Sequence, residues 1–437
     1  MSIPTLQGLQ TALSGLLAEQ QALDVTGHNI ANANTEGYSR QRAVLVTNQA
    51  IPIPSISAIT GAGAQLGTGV TVETYARVRN SYLDSQYRTQ NSSLSGASTQ
   101  AEALEQAQGA FNEPSSSGIA SQLSAFWSSW NSLADSPTSE AAKQGVVAAG
   151  QRLAGALNQL SSQLSTISGQ VEAQYAARTS PTGEVADIAK QIGELNQQIK
   201  LAEQARQPPN DMLDRRDLLI DKLSALAHVS VTANPDGTDT IAFGDAAKPL
   251  VEGTTVNWPQ TLTPAAGGQL GALLGLTAPG GGLAVIRSEL DTVAATVASS
   301  VNALHTATPF FSGATAATIA VALKAPEVQS SSTEAPGGND VALAIAGLRG
   351  GTADQSYSSL VEGVGSKVQG AKDEQANLQT TLTAIGNQRQ SVSGVSLDEE
   401  MTNLISFQRG YQASARTLTA MDEMLEQLIE HTGRAGL

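Results

Sequence analysis

Stepping by three and four from Leu397 meets Leu397, Glu400, Leu404, Phe407, Tyr411, Ser414, Leu418, Met421, Leu425 and Leu428, eight apolar positions in ten. That spacing predicts a long helix packed along another helix. Ser396 and Glu399 form a capping-box pattern, and Asp398, Glu399 and Glu400 sit where the helix dipole favours negative charge. His431, Thr432 and Gly433 supply a stop. A second seam lies at the other end of the chain. From the cap-like Ser2 and Pro4, it carries Leu6, Leu9, Leu13, Leu16, Gln20, Leu23, Gly27 and Ile30, six apolar in eight. Gly8, Gly15 and Gly27 each cost about 1 kcal/mol in a helix interior, so this segment needs a partner to fold. One heptad helix alone reads as an ordinary core or dimer element. Two at opposite ends predict that they pair, with the central residues forming a separate body.

Between the ends, Asn29-Ile-Ala-Asn-Ala-Asn-Thr-Glu-Gly-Tyr-Ser-Arg-Gln41 is dense in Asn, with a Gly suited to positive φ, and predicts a structured turn. Residues 43–74, with Pro52, Pro54 and Gly61, Gly63, Gly67 and Gly69, predict loop and strand. They lack the G-x-G-x-x-G and Gly-Lys-Ser/Thr patterns of phosphate loops. Long helices follow from Arg77 to Thr179, broken near 112–117 and 135–137, and another carries Ile188, Ile192, Leu195 and Ile199. Pro208-Pro209-Asn210 ends it, and Asp211 is expected to cap a helix from Met212 to Ala227. Alternation at Val229/Val231 and Ile241/Phe243 around Asn234-Pro-Asp-Gly237 predicts a hairpin within a small β element spanning 229–276. Helix resumes from Gly282 to His305. A Ser/Thr/Ala/Gly-rich stretch covers 306–339, and helices continue from Asp340.

Composition narrows the function classes. Hydrophobic residues make up 41% of the 437 positions, enough for a real core. Charged residues are only 14%, a surface suited to packing against like subunits. A net charge of −15 without a Lys/Arg cluster disfavours nucleic acid and anionic membranes. There is no cysteine, which excludes disulfides, thiol catalysis and thiolate metal sites. Neither a signal peptide nor a run of ~18 apolar residues is apparent. His28, His228, His305 and His431 stand singly and read as surface or capping residues. Asn234, Asp236 and Asp239 fit a turn better than a calcium loop. Asp214-Arg215-Arg216-Asp217 reads as local ion pairs of little worth if exposed. No catalytic, cofactor-binding or metal-binding set emerges, so an enzyme is not expected. A secreted coiled-coil adhesin or cell-wall-acting protein would need a catalytic cluster that these residues do not provide.

The chain resembles the flagellar axial proteins, and within them the junction branch more than the hook or distal-rod branch. Asn29, Asn32, Asn34, Gly37 and Tyr38 are similar to the axial signature that follows the N-terminal helix. Gly37-Tyr-Ser-Arg-Gln41, Asn210 to Leu219, Gly268-Gln-Leu-Gly271 and Ser391 to Glu400 with Phe407, Gln408 and Tyr411 favour the junction branch. The resemblance implies a mainly α, elongated multi-domain axial protein. Residues 1–45 and 385–437 are then a terminal coiled-coil domain. Residues 46–384 are a helical-bundle middle domain, with an outer domain near 306–340 reduced or absent. The implied function is a structural subunit joining hook to filament. Implied partners are copies of itself in a ring, hook protein on one side, and a second junction protein and the flagellin filament on the other. A cytoplasmic export chaperone would bind the C-terminal helix. The implied location is extracellular, without membrane insertion. The expected assembly residues are Leu6, Leu9, Leu13, Leu16, Leu23 and Ile30 at one end. At the other, Leu397, Leu404, Phe407, Tyr411, Leu418, Met421, Leu425 and Leu428 are expected to serve assembly and the chaperone.

Overall fold

The computed structural model describes residues 4–53, 64–333 and 337–432. Helix α1 (Pro4–Asn32) leads into four strands, β1 (Gln41–Thr47), β2 (Ile51–Ile53), β3 (Ala64–Leu66) and β4 (Val70–Arg77). β1 pairs antiparallel with β4, from Gln41 opposite Arg77 to Thr47 opposite Val70, with a bulge between Val44 and Leu45. β2 pairs with β3 in the same sense, so 41–53 and 64–77 form a two-stranded ribbon, strand where strand was expected. Ser2, Pro54, Gly61, Gly63 and Gly433 lie outside the described residues.

The body begins with α2 (Ser81–Phe111), started by Asn80, whose side chain accepts from the amides of Tyr82 and Leu83. α3 (Ile119–Asp135), α4 (Glu140–Thr179), α5 (Glu184–Gln204) and α6 (Asn210–Leu226) follow, with breaks at the Pro- and Asn-bearing positions. One cap differs from expectation. α6 begins at Asn210 behind Pro209 without a side-chain cap, because Asp211 sits inside the first turn and accepts from Gln41 Nε2 instead. Strands β5 (Val229–Ala233), β6 (Asp239–Phe243), β7 (Val251–Glu252) and β8 (Thr255–Val256) form an antiparallel meander in sequence order. Gly237, at φ +82°, closes the expected turn. The β element is shorter than read, since α7 (Gly268–Thr277) is helical before α8 (Gly282–Leu304). Two short strands, β9 (Phe311–Ser312) and β10 (Ala320–Val321), precede α9 (Asp340–Ala346), α10 (Thr352–Ser393) and α11 (Leu397–Thr432).

Two apolar cores hold the body. The larger joins α2, α3, α4, α7, α8, α9 and α10 around Phe126, Trp127 and Trp130. The smaller packs α5 and α6 against the meander through Ile192, Ile220, Ile241 and Phe243. α2 and α10 run antiparallel, as Gln375 to Ser98 and Lys372 to Glu105 contacts show. The Ser/Thr/Ala/Gly-rich stretch contributes to the larger core. Phe310 and Phe311 stack against Phe126, and Ala316, Ile319 and Val328 are buried with them. With Leu323, these are six scattered apolar anchors that its low-complexity composition concealed. By windowed hydropathy, Gly268–Leu304 does reach the range of a membrane span. It is two helices, however, and Leu283, Ile286, Leu290 and Val297 of α8 are spent on the bundle core.

Candidate functional site

α1 and α11 lie antiparallel in a fixed register. A Cβ added at Gly8 would meet the Met421 thioether, one at Gly15 the Ser414 hydroxyl, and one at Gly410 the Glu19 carboxylate. Asn29 reaches Glu400 in the same register. The face that α1 presents is therefore small: Ala12, Ala18, Ala22, Thr26 and Asn29 are its buried positions among the described residues. On α11 the face is large. Leu404, Phe407, Tyr411, Leu418, Met421 and Leu425 are all half-buried, and Glu400 is buried. Small residues on one helix let the other's large side chains approach its backbone. The glycines that weaken α1 as an isolated helix are thus what seats Met421 and Ser414. On α11 the inward positions run from Glu400 to Leu425, while Leu397 is exposed.

The α1 seam lies elsewhere than read. Leu9, Leu16, Leu23 and Ile30 are half-buried, whereas Leu13 and Leu17 are about half exposed. The burial of Leu6 and Leu428 falls outside the described residues. On α11, Met401, Ile405 and Met424 face outward too. The heptad count on α1 followed the leucines, and the pairing face is one step round the helix.

The Asn-rich turn is a hydrogen-bonded knot centred on Asn29. Its Nδ2 donates to the Gln41 carbonyl at 2.8 Å and to Glu400 at 3.0 Å. Its Oδ1 accepts from the Gln41 amide at 2.9 Å and the Tyr38 hydroxyl at 2.8 Å. All four bonding capacities of the amide are used. Since the Tyr38 proton goes to Asn29, His28 Nδ1 donates to the Tyr38 oxygen. Burial, then Asp211, Asp214 and Glu400, push the Tyr38 phenol well above its ordinary pKa. Asn32 Nδ2 donates to the His28 carbonyl and closes α1, Asn34 is exposed, and Gly37, at φ +80°, lies against Leu218. The capping box at Ser396 is half made. Ser396 faces the Glu399 amide at 3.5 Å, but the Glu399 carboxylate takes Arg40 at 2.6 Å rather than turning back. Arg40 Nε lies 2.7 Å from Glu400.

Sequence reasoning missed the residues that tie this knot to the body. Asp214, Arg216 and Asp217 are not an exposed local set: Asp214 and Arg216 are buried. Asp214 accepts the Ser39 amide at 2.9 Å and Arg77 at 2.8 Å. Asp217 takes Arg77 and Arg79 on one oxygen, each at 2.8 Å, and Arg88 on the other at 3.0 Å. Arg389 bridges Asp84 and Asp221 at 2.7 Å each. Arg77, Arg79, Arg88 and Arg389 thus balance Asp84, Asp214, Asp217 and Asp221 within one network. Burial would raise the Asp217 carboxyl, but Arg79, Arg77 and Arg88 outweigh it and hold it at about 2. Arg216 turns the other way, to Asn196, the Gly237 carbonyl and Asp239, fastening α6 to the meander. The signal in sequence was the spacing of Asp214, Asp217 and Asp221 on one helix face.

No cluster of metal-capable side chains occurs among the described residues. Asp236 serves the hairpin turn through Thr238 and Lys200, and Asp239 pairs with Arg216. Of the two roles expected for it, surface or capping, His305 takes the capping one, as the C-cap of α8. It is buried, its Nε2 accepts the Gln329 amide and its Nδ1 donates to the Thr308 carbonyl. Burial lowers its pKa.

Three family models match segments of the chain. The family model described as the flagellar hook-associated protein FlgK helical domain matches residues 104–265. A flagella basal body rod protein model matches residues 9–38, and a flagellar basal body rod FlgEFG C-terminal model matches 387–430. These two segments are the α1 knot and the α10–α11 end. The chain is 31% identical to flagellar hook-associated protein 1 of Bacillus subtilis, over 99% of each chain. It is 30% identical to the protein of that name in Salmonella typhimurium, over 56% of this chain and 42% of the relative. The solved hook junction protein FlgK of Burkholderia pseudomallei aligns with 51% of this chain and 43% of its own, at 25% identity and a TM-score of 0.45. On its full-length likeness to the Bacillus subtilis protein, this chain belongs to the flagellar hook-associated protein 1 family.

Proposed function

We propose that this chain is the non-enzymatic subunit that joins hook to filament, assembling as a ring of copies outside the cell after export from the cytoplasm without a cleaved signal peptide. Hook protein lies on one side, and a second junction protein and flagellin on the other. The observation that carries this reading is the full-length family likeness, with axial-type segments at both ends. The outward Leu13, Leu17, Met401, Ile405 and Met424 support it, since a paired helix that leaves such residues exposed offers surface to neighbouring copies. The seam on which an export chaperone is placed, Leu397 to Leu428, is from Leu404 to Leu425 the one that faces α1, so chaperone and α1 compete for α11.

A deletion strain tests the reading. Hooks should form while flagellin accumulates in the medium, and the wild-type chain should restore filaments. Leu13→Asp with Leu17→Asp should be exported and folded yet fail to restore them. Loss of the hooks themselves would assign the chain to hook or rod, and normal filaments in the deletion strain would reject the junction.

A further inference from the structure

The terminal part (α1, β1 to β4 and α11) meets the body almost wholly through polar groups. The two apolar cores run from Ala101 to Ala371 and include no described residue of the terminal part. The covalent links are short, at 78–80 and 394–396. Across the boundary run the Ser39 amide to Asp214, Gln41 Nε2 to Asp211, Asn210 Nδ2 to the Tyr75 carbonyl and the Arg40 amide to the Ser393 carbonyl. With them go Arg77 and Arg79 onto Asp214 and Asp217. The close apolar approach is Leu218 against Gly37.

We infer that this boundary is a polar swivel with Asp217 as its pivot, on which the terminal part can re-seat along α6. Asp217 divides its two oxygens: Arg77 of β4 reaches one from the terminal side, together with Arg79 of the 78–80 link, itself held by Asp84 of α2, and Arg88 holds the other oxygen from the body. Asp214, Asp217 and Asp221 make a ladder of carboxylates spaced at about one helical turn. Arg79 already stands 3.8 Å from Asp214 while bonded to Asp217. A displacement of one turn, about 5 Å, exchanges one carboxylate for the next and keeps the charges paired. Interdigitated apolar packing offers no such equivalent seat. This inference is independent of the junction reading, because it concerns the purified chain alone.

The chain has no cysteine, so Ser93→Cys on α2 and Gln412→Cys on α11 give two unique spin-label sites, and pulsed electron spin resonance reads the distance between them. All three tryptophans, Trp127, Trp130 and Trp258, lie in the body, so their emission reports body unfolding separately. Arg77→Gln, which leaves Arg79 and Arg88 on Asp217, and the stronger Arg77→Glu, which leaves the Arg88–Asp217 pair within the body intact, should each add a second distance population displaced by about 5 Å, with tryptophan emission and its melting midpoint unchanged. An unchanged single population in both variants would overturn the swivel. So would displacement appearing only together with a shift of tryptophan emission, which would make the network part of the body's fold.

Discussion

Asn29 and Glu400 are 371 positions apart in sequence and 3.0 Å apart in space, joined by a bond from Asn29 Nδ2 to the Glu400 carboxylate. The same amide holds both main-chain groups of Gln41, so one side chain fixes the end of α1, the start of β1 and the first turn of α11. Asn29→Ala leaves the Glu400 carboxylate and the Gln41 amide without that partner in a buried place, at a cost of about 1–3 kcal/mol for each unmet group. Limited proteolysis should show cleavage in 30–45 at lower protease levels than in wild type, while α2 to α10 stay resistant.

Gly37→Ala is expected to loosen the same knot by another route. The residue sits at φ +80°, where a Cβ costs about 1–2 kcal/mol, and that Cβ would stand 3.1 Å from Leu218 Cβ. Amide exchange at Tyr38 and Gln41 should accelerate, with exchange in the Trp130 core unaltered.

Phe310→Ala should destabilise the body by about 3–5 kcal/mol, as expected for emptying a filled aromatic site. Thermal unfolding followed by tryptophan emission checks it. A dispensable surface loop at 306–333 would show no loss.

Acid should act on the boundary through Asp217. Its carboxyl is held at about 2, below the ordinary 3.8, so its contribution is complete above pH ~4 and is lost as the pH falls towards 2. The difference is worth about 2 kcal/mol. His305 adds a milder slope. Its lowered pKa means that the neutral ring stabilises the fold above the ordinary 6.5 and that protonation on acidification opposes folding. The melting temperature of His305→Gln should therefore vary less between pH 7 and 5 than that of wild type.

The helices were legible because their breaks carry Pro, Asn and Ser and because α11 spaces large apolar residues evenly. The α1 pairing face was not, since alanines and glycines carry little hydrophobic signal and the leucines beside them drew the count to a neighbouring stripe. The Arg–Asp network stayed hidden for a different reason. Arg77 meets Asp214 across 137 residues, and only the folded chain shows that helix α6 turns its acidic face to arginines from β4 and α2. Phe310 and Phe311 escaped because two aromatics in a small-residue stretch have no period to reveal them.

The register of α1 on α11 also dictates an order of folding. α1 rests on β1 and β4 as well as on α11, but its register partners Ser414 and Met421 come from late in the chain, whereas both body cores close with residues up to Ala371. A chain delivered from its first residue onward therefore carries its opening helix and the β ribbon without their α11 partner through the formation of the body. The earliest segment to appear completes its pairing last, and its clasp is the last helix made.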